Sequence, residues 1–305
     1  MTTPPAPAAL RTVAFIGLGI MGGPMAAHLL DAGFALRIYN RTAAKAAPLV
    51  ERGAVACATP REAAAGADAI VTMVTDTPDV EAVLFGPDGA VHGARPGALV
   101  IDMSTIAPEG ARSLAARLRA LGLAPLDAPV TGGDVGARDG TLTVMVGGDE
   151  ADFARAAPLF AALGRRIVHV GPSGAGQTVK AANQILCAVH TMAACEALAF
   201  ARAAGVDVAR LLEVVTTGAG GSWVLTHLAP RLAAGELAPG FMVKLLQKDL
   251  AIVDRTARDA ELPLPATALA TQLFRATAAA GGERLGTQAL GLAYEALTGR
   301  RIREG

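Results

Sequence analysis

The stretch "TVAFIGLGIMGGPMA", residues 12–26, decides the first domain. A short run of strand-type residues passes directly into Gly17-x-Gly19-x-x-Gly22, and an apolar helical run follows. Each glycine answers a steric demand. Gly17 permits the tight turn, Gly19 lets backbone approach a pyrophosphate, and Gly22 allows close helix–strand packing. The phosphates then lie at a helix N-terminus, where N–H groups and the helix dipole favour anions. The whole turn, Gly17, Leu18, Gly19, Ile20, Met21 and Gly22, is therefore the candidate cofactor cradle. Such glycines are common by themselves; the strand before, the helix after and a second strand at "ALRIYN" (35–40) give them meaning. They also explain the uncharged run 13–30 after Arg11, which mimics a membrane span or signal segment.

The second strand ends in Asn40-Arg41-Thr42. A site built for NAD commonly places Asp or Glu here to bind the ribose 2′-hydroxyl. That carboxylate would repel a 2′-phosphate, and it is absent. Arg41, with Asn40 and the Thr42 hydroxyl, can bind the phosphate instead. The expected cofactor is NADP(H), with NAD(H) as the alternative.

From residue 12 to about 170, β-type runs alternate with Ala-rich helical stretches. The strands are expected at 12–16, 35–40, 69–74, 98–102, 124–128, 142–146 and 166–170. Several are apolar throughout, as strands covered on both faces are. Strand–helix alternation with short connections predicts a parallel sheet with right-handed crossovers. After "GPSGAG" (171–176) the strand signals stop. A long helix is expected over 179–205, then helices at 207–217, 222–233, 245–260, 265–280 and 286–298, punctuated by Gly and Pro. The fold class is α/β: a doubly wound parallel sheet (1–172) plus a separate all-helical C-terminal domain (173–305). Residues 1–11, rich in Pro and Ala, read as a frayed leader.

The 27 Lys and Arg residues balance 27 Asp and Glu, which gives no electrostatic footprint for nucleic acid or an anionic membrane surface. Hydrophobic residues make up 52% and aromatics 4%, so the core is expected to be built from small aliphatics. Three cysteines (Cys57, Cys187, Cys195) without CxxC spacing suit a reducing compartment and a role as small core hydrophobes. No metal-ligand spacing stands out among the five histidines. A cytoplasmic protein with no membrane or nucleic-acid partner is the expectation.

Only four of the cationic residues are lysines: Lys45, Lys180, Lys244 and Lys248. Arg fills most positions that merely need charge. Lys can release and recapture a proton where Arg cannot. Lys180 lies early in the long apolar helix, in "GPSGAGQTVKAANQI" (171–185).

Together with the glycine turn, "DAPVTGG" (127–133), "GTLTVMVGG" (140–148), "GAGQTVKAANQ" (174–184) and "GFMVKLLQKDL" (240–250) resemble the β-hydroxyacid dehydrogenase family, from residue 12 to about 297. The resemblance implies a Rossmann-type first domain joined by the long helix to the helical one, a catalytic cleft between the two, and a homodimer or homotetramer. It makes Lys180 the catalytic lysine and Asn183 its partner. Positions i and i+3 share a helix face, so amine and amide can meet one carbonyl oxygen; Gln184 at i+4 lies beside them. Thr131-Gly132-Gly133 match the loop that binds the substrate carboxylate, with Thr131 where Ser is more usual. Val74 and Thr75 match the adenosine side, Thr105 a hydroxyl near the nicotinamide ribose, and Lys248 a lysine that reaches the cofactor. An ion pair with Asp249 is the alternative for Lys248. Phe241 is the better of two pocket candidates, Trp223 being as well suited to a core.

The implied reaction is hydride transfer between NADP(H) and a small carboxylate-bearing β-hydroxy acid or semialdehyde, with Lys180 as general acid/base titrating near neutral pH by virtue of burial. "GLGIMGGPMA", "DMSTIAP" and "GTLTVMVGGD" look most like the tartronate semialdehyde reductase branch, whose product is D-glycerate. 3-Hydroxyisobutyrate dehydrogenase and succinic or glyoxylic semialdehyde reductase are the alternatives. Imine reduction stands further off, because such relatives generally lack the lysine, and so does a non-catalytic dinucleotide-binding role, because some relatives lose catalysis along with it.

Overall fold

The computed structural model describes residues 10–303, so all but the last two residues of the expected leader lie outside it. The chain divides into two compact units between Lys180 and Ala181, inside the long helix.

Among the described residues the first unit has nine strands: β1 (Thr12–Ile16), β2 (Ala35–Tyr39), β3 (Val55–Ala56), β4 (Ala69–Thr72), β5 (Leu99–Asp102), β6 (Ala124–Asp127), β7 (Val130–Thr131), β8 (Leu142–Gly148) and β9 (Gly164–Gly171). Its helices are α1 (Gly22–Asp31), α2 (Ala47–Val50), α3 (Pro60–Ala64), α4 (Thr77–Phe85), α5 (Pro108–Ala120), α6 (Gly133–Arg138), α7 (Glu150–Leu163) and the start of α8 (Ala175–Ala203). The sheet order is β3-β2-β1-β4-β5-β6-β8-β7, with β9 beside β8.

β1 shows why the sheet is covered on both faces. Successive side chains of a strand point to opposite sides. Val13 and Phe15 join one core with Met25 and Leu29 of α1 and Phe160 of α7, while Ala14 and Ile16 join the other with Val80 of α4 and Leu114 of α5. Full burial of one such large apolar side chain contributes about 1.5–3 kcal/mol. α1 stops where Gly33 turns left-handed at φ 87° and its N–H bonds the Leu30 carbonyl.

The strands from β1 to β6 are parallel, as expected, but β8 is not. It runs antiparallel to both β6 and β7. The reason lies in the connection. Between β7 and β8 the chain has only α6, six residues long, too short to carry the chain across the sheet, so it doubles back. The short strands β3 and β7 were not anticipated.

The second unit contains the rest of α8 and α9 (Val208–Val215), α10 (Trp223–His227), α11 (Ala229–Ala233), α12 (Val243–Asp259), α13 (Pro265–Thr277) and α14 (Leu290–Thr298). The helix expected over 222–233 is broken in two, with Pro230 in the first turn of α11, where its missing N–H does no harm. α12 buries Val243, Leu246 and Leu250 at helical spacing against a core that includes Leu198, Phe274 and Leu290. α8 is long and apolar enough to cross a membrane by length and composition, yet it buries a face of Lys180, Gln184, Ala188, Thr191, Cys195 and Leu198 within the chain. Of the three cysteines only Cys195 is buried, so the expectation of three core thiols holds for one.

Candidate active site

The glycine turn divides its labour between packing and access. Gly17 has φ 103°, its N–H bonds the Tyr39 carbonyl, and an added Cβ would strike the Met73 carbonyl. A Cβ on Gly22 would strike the Gly17 carbonyl and come within 3.1 Å of the Phe15 ring. Gly19 is different: a Cβ there would meet nothing within 4 Å. Two glycines are demanded by the protein's own atoms, and the third leaves open space before the backbone where a pyrophosphate fits. No acidic residue occupies the first turn of α1, so the helix N-terminus suits an anion. Leu18 is 3% exposed and belongs to the core, whereas Ile20 is exposed.

Asn40 has a role the phosphate-binding expectation did not include. Its Oδ1 accepts the Leu18 N–H at 2.8 Å and its Nδ2 donates to the Thr42 carbonyl at 2.9 Å. The amide thus ties the end of β2 to the glycine turn. Arg41 and Thr42 are exposed, and so is Lys45 on the short turn of helix that follows. Sequence reasoning passed over Lys45, although its nearness to Arg41 was visible in "NRTAAK". Val74 packs beside Gly17 and its N–H donates to Ser104 Oγ at 2.9 Å; Thr75 is exposed.

At the carboxyl ends of β5 and β6 lies a polar group that sequence reasoning missed. Asp102 and Asp127 are register partners on neighbouring strands, 6% and 5% exposed. Thr72 Oγ1 and the Ser104 N–H donate to Asp102 Oδ1 at 2.7 and 3.1 Å. Asp127 accepts the N–H groups of Gly174 and Gln177 at 2.7 and 3.0 Å, at the start of α8. Burial pushes the Asp127 carboxyl up to about 6; those two N–H groups oppose the rise and the Asp102 charge adds to it. A carboxylate ending an otherwise apolar strand, as in "LVID" and "PLDA", was the available signal. Thr105 follows on the loop after β5, half-buried.

Thr131 ends β7, and Gly132 and Gly133 take φ 127° and 64° before α6. Both angles lie where glycine is favoured; the Leu142 side chain lies against Gly132, whereas a Cβ on Gly133 would meet nothing within 4 Å.

Lys180 is 8% exposed, well inside α8 and not at a frayed end. Three residues on, Asn183 Nδ2 donates to Gln184 Oε1 at 2.8 Å and to Cys187 Sγ at 3.4 Å. Sulfur is a weak acceptor, so the second of these bonds holds the Asn183 amide only loosely. Gln184 Nε2 donates to Asp249 Oδ2 at 2.5 Å, and Lys248 Nζ lies 2.8 Å from Asp249 Oδ1. The second unit thereby brings Asn183, Gln184, Asp249 and Lys248 into one polar chain. Lys248 pairs with Asp249, and at 18% side-chain exposure it is no surface charge. Phe241 packs partly buried against the helical core, whereas Trp223 is 52% exposed and stacks on His227 at 4.4 Å, so the core role considered for Trp223 is excluded.

Residues 12–171 match the family described as the NAD binding domain of 6-phosphogluconate dehydrogenase, and residues 174–293 that described as NAD-binding of NADP-dependent 3-hydroxyisobutyrate dehydrogenase. The 2-hydroxy-3-oxopropionate reductase of Escherichia coli (strain K12) is 43% identical over 288 residues, covering 94% of this chain and 98% of the relative. The chain belongs to the β-hydroxyacid dehydrogenase family. Another member, the NAD-dependent L-serine dehydrogenase of Pseudomonas aeruginosa, is 41% identical, covering 87% of this chain and 92% of its own. The solved 3-hydroxyisobutyrate dehydrogenase of Salmonella typhimurium superposes with a TM-score of 0.84 at 37% identity, covering 92% of this chain and 99% of that one. As a β-hydroxyacid dehydrogenase, the protein is an oxidoreductase that acts on a hydroxyl group with a nicotinamide dinucleotide. The glycine turn, the open face at Gly19 and the carboxylate-free end of β2 fit that cofactor.

Proposed function

We propose that this dehydrogenase reduces tartronate semialdehyde (2-hydroxy-3-oxopropionate) to D-glycerate with NADPH, and that Lys180 is its general acid/base. The observation that carries the reading is the burial of Lys180 within α8, with an amide at i+3 and another at i+4. A nicotinamide dinucleotide, when bound, supplies the hydride. The chain's own groups do the rest: Lys180 gives a proton to the carbonyl oxygen, the Asn183 amide holds that oxygen, and the Thr131-Gly132-Gly133 turn anchors the carboxylate. An amine suits this exchange because, unlike a guanidinium, it can release and recapture a proton. Lys248 and Thr105 are assigned to the cofactor.

The substrate rests on the resemblance to the Escherichia coli relative. One methylene changes discrimination by only about 1–3 kcal/mol, so 3-hydroxyisobutyrate and serine, named for other members, belong in the same assay panel. The preference for NADPH is supported by exposed Arg41, Thr42 and Lys45 where NAD sites commonly carry a carboxylate.

Lys180→Ala is expected to lower kcat about 10²- to 10⁴-fold while NADPH binding, followed by fluorescence, stays within a few-fold. Wild-type kcat in this variant would remove Lys180 from the chemistry. A substrate other than tartronate semialdehyde giving the highest kcat/KM would replace the substrate assignment alone.

A further inference from the structure

Gly174 stands one residue before α8, in the position whose side chain ordinarily accepts the N–H of the third helical residue. Glycine has no side chain to do so. The missing oxygen comes from another part of the chain: Asp127, at the end of β6, accepts that N–H from Gln177 and the N–H of Gly174 itself. The surroundings are shaped to admit it. A Cβ on Gly176 would come within 2.8 Å of Asp127 Oδ2, and a Cβ on Gly147 within 2.6 Å of Oδ1. The Gln177 side chain, 1% exposed, then reaches the loop after β5. Its Nε2 donates to the Ser104 carbonyl at 2.8 Å and its Oε1 accepts the Ile106 N–H at 3.1 Å. Thr105 lies between those two anchors.

We propose that Asp127 and Gln177 are positioning residues for Lys180, locking the first turn of α8 and the Thr105 loop into one rigid piece. The inference rests on the reading of Lys180 as the acid/base group. A helix advances about 1.5 Å per residue with 3.6 residues per turn, so the backbone that carries Lys180, three residues after Gln177, lies about 4.5 Å further along the axis, within the next turn of the lock. A misplacement of about 1 Å can lower a rate by as much as 10²-fold. Stability alone is a poor reason for the carboxylate: burial raises its pKa, so ionising it at neutral pH costs folding free energy. What it supplies is a pair of strong acceptors fixed to the sheet.

The test uses the full-length enzyme with tartronate semialdehyde and NADPH, and the variants Asp127→Asn, Gln177→Met and Lys180→Ala, alone and combined. Asp127→Asn and Gln177→Met are each expected to lower kcat about 10- to 100-fold with NADPH Kd unchanged within twofold. Added to Lys180→Ala, neither lowers the residual rate further, because each acts through the amine. Amide hydrogen exchange supplies a readout without turnover. In Asp127→Asn the Ile106 N–H, which Asp127 does not touch, exchanges faster, while amides beyond Ala188 keep their protection. Unchanged exchange at Ile106, additive losses of rate, or parallel loss of NADPH binding would each overturn the lock. Should Lys180→Ala keep wild-type kcat, the acid/base reading falls by itself, and the exchange at Ile106 still decides whether the lock exists.

Discussion

Each unit buries a carboxylate against α8, and the two are held differently. Asp127, in the first unit, meets backbone N–H groups at the helix start. Asp249, in the second, meets side chains, the Gln184 amide and the Lys248 ammonium. Backbone donors are placed by the fold, so Asp127 is held by geometry with no cationic side chain among the partners above. Side-chain donors bring a compensating charge, so Asp249 is neutralised locally. The contrast separates two ways of keeping an anion out of water: fixed dipoles or a counter-ion.

Removing one carboxylate tests that contrast most severely. Asp249→Ala removes the carboxylate that the Lys248 ammonium and the Gln184 amide share, and breaking a buried pair typically costs about 3–5 kcal/mol. Urea unfolding is expected to show a loss of that order. A loss near zero would mean that Lys248 finds another partner and that the ion pair is incidental.

The pH dependence of stability sharpens the comparison next. The folded carboxyl of Asp127 lies at about 6, above its ordinary 3.8. The native state therefore binds the proton more tightly than the unfolded chain does. That contribution is complete below about pH 4 and is lost as pH rises through about 6; the displacement corresponds to roughly 3 kcal/mol. Asp127→Asn lacks this titration. The difference in unfolding free energy between variant and wild type is expected to move in the variant's favour by up to that amount from pH 4 to 7. A difference that does not change with pH would show that the backbone donors hold the carboxyl at its ordinary value.

A position that buries nothing provides the smallest effect on stability and a clean effect on binding. Arg41→Ala is expected to leave Tm unchanged and to lower the NADPH to NADH ratio of kcat/KM about 10- to 100-fold, the range of one charge-assisted contact. An unchanged ratio would return Arg41 to the status of an ordinary surface residue.

The parts of the fold legible in the sequence were those written in adjacent residues. The strand, the glycine turn and α1 follow one another within residues 12–31, and their steric demands show in the residue types. Lys180 stood out because an ionisable amine interrupts an apolar helix in an arginine-rich chain. The antiparallel course of β8 was not legible, since an apolar run carries no sign of its direction and only the shortness of α6 reverses the chain. Asn40 was assigned to the phosphate because its neighbours suited that task, while its side chain bonds Leu18, on a different strand's turn.

By itself, then, the sequence determined the dinucleotide unit, the helical second unit and the lysine on α8, because each depends on local sterics and helical or strand periodicity. Tertiary structure alone decided that Asp127 caps the helix start 47 and 50 residues away and that Gln184 meets Asp249 across 65 residues. Buried polar groups must find partners wherever the fold brings them, and no pattern of neighbouring residues records where that is.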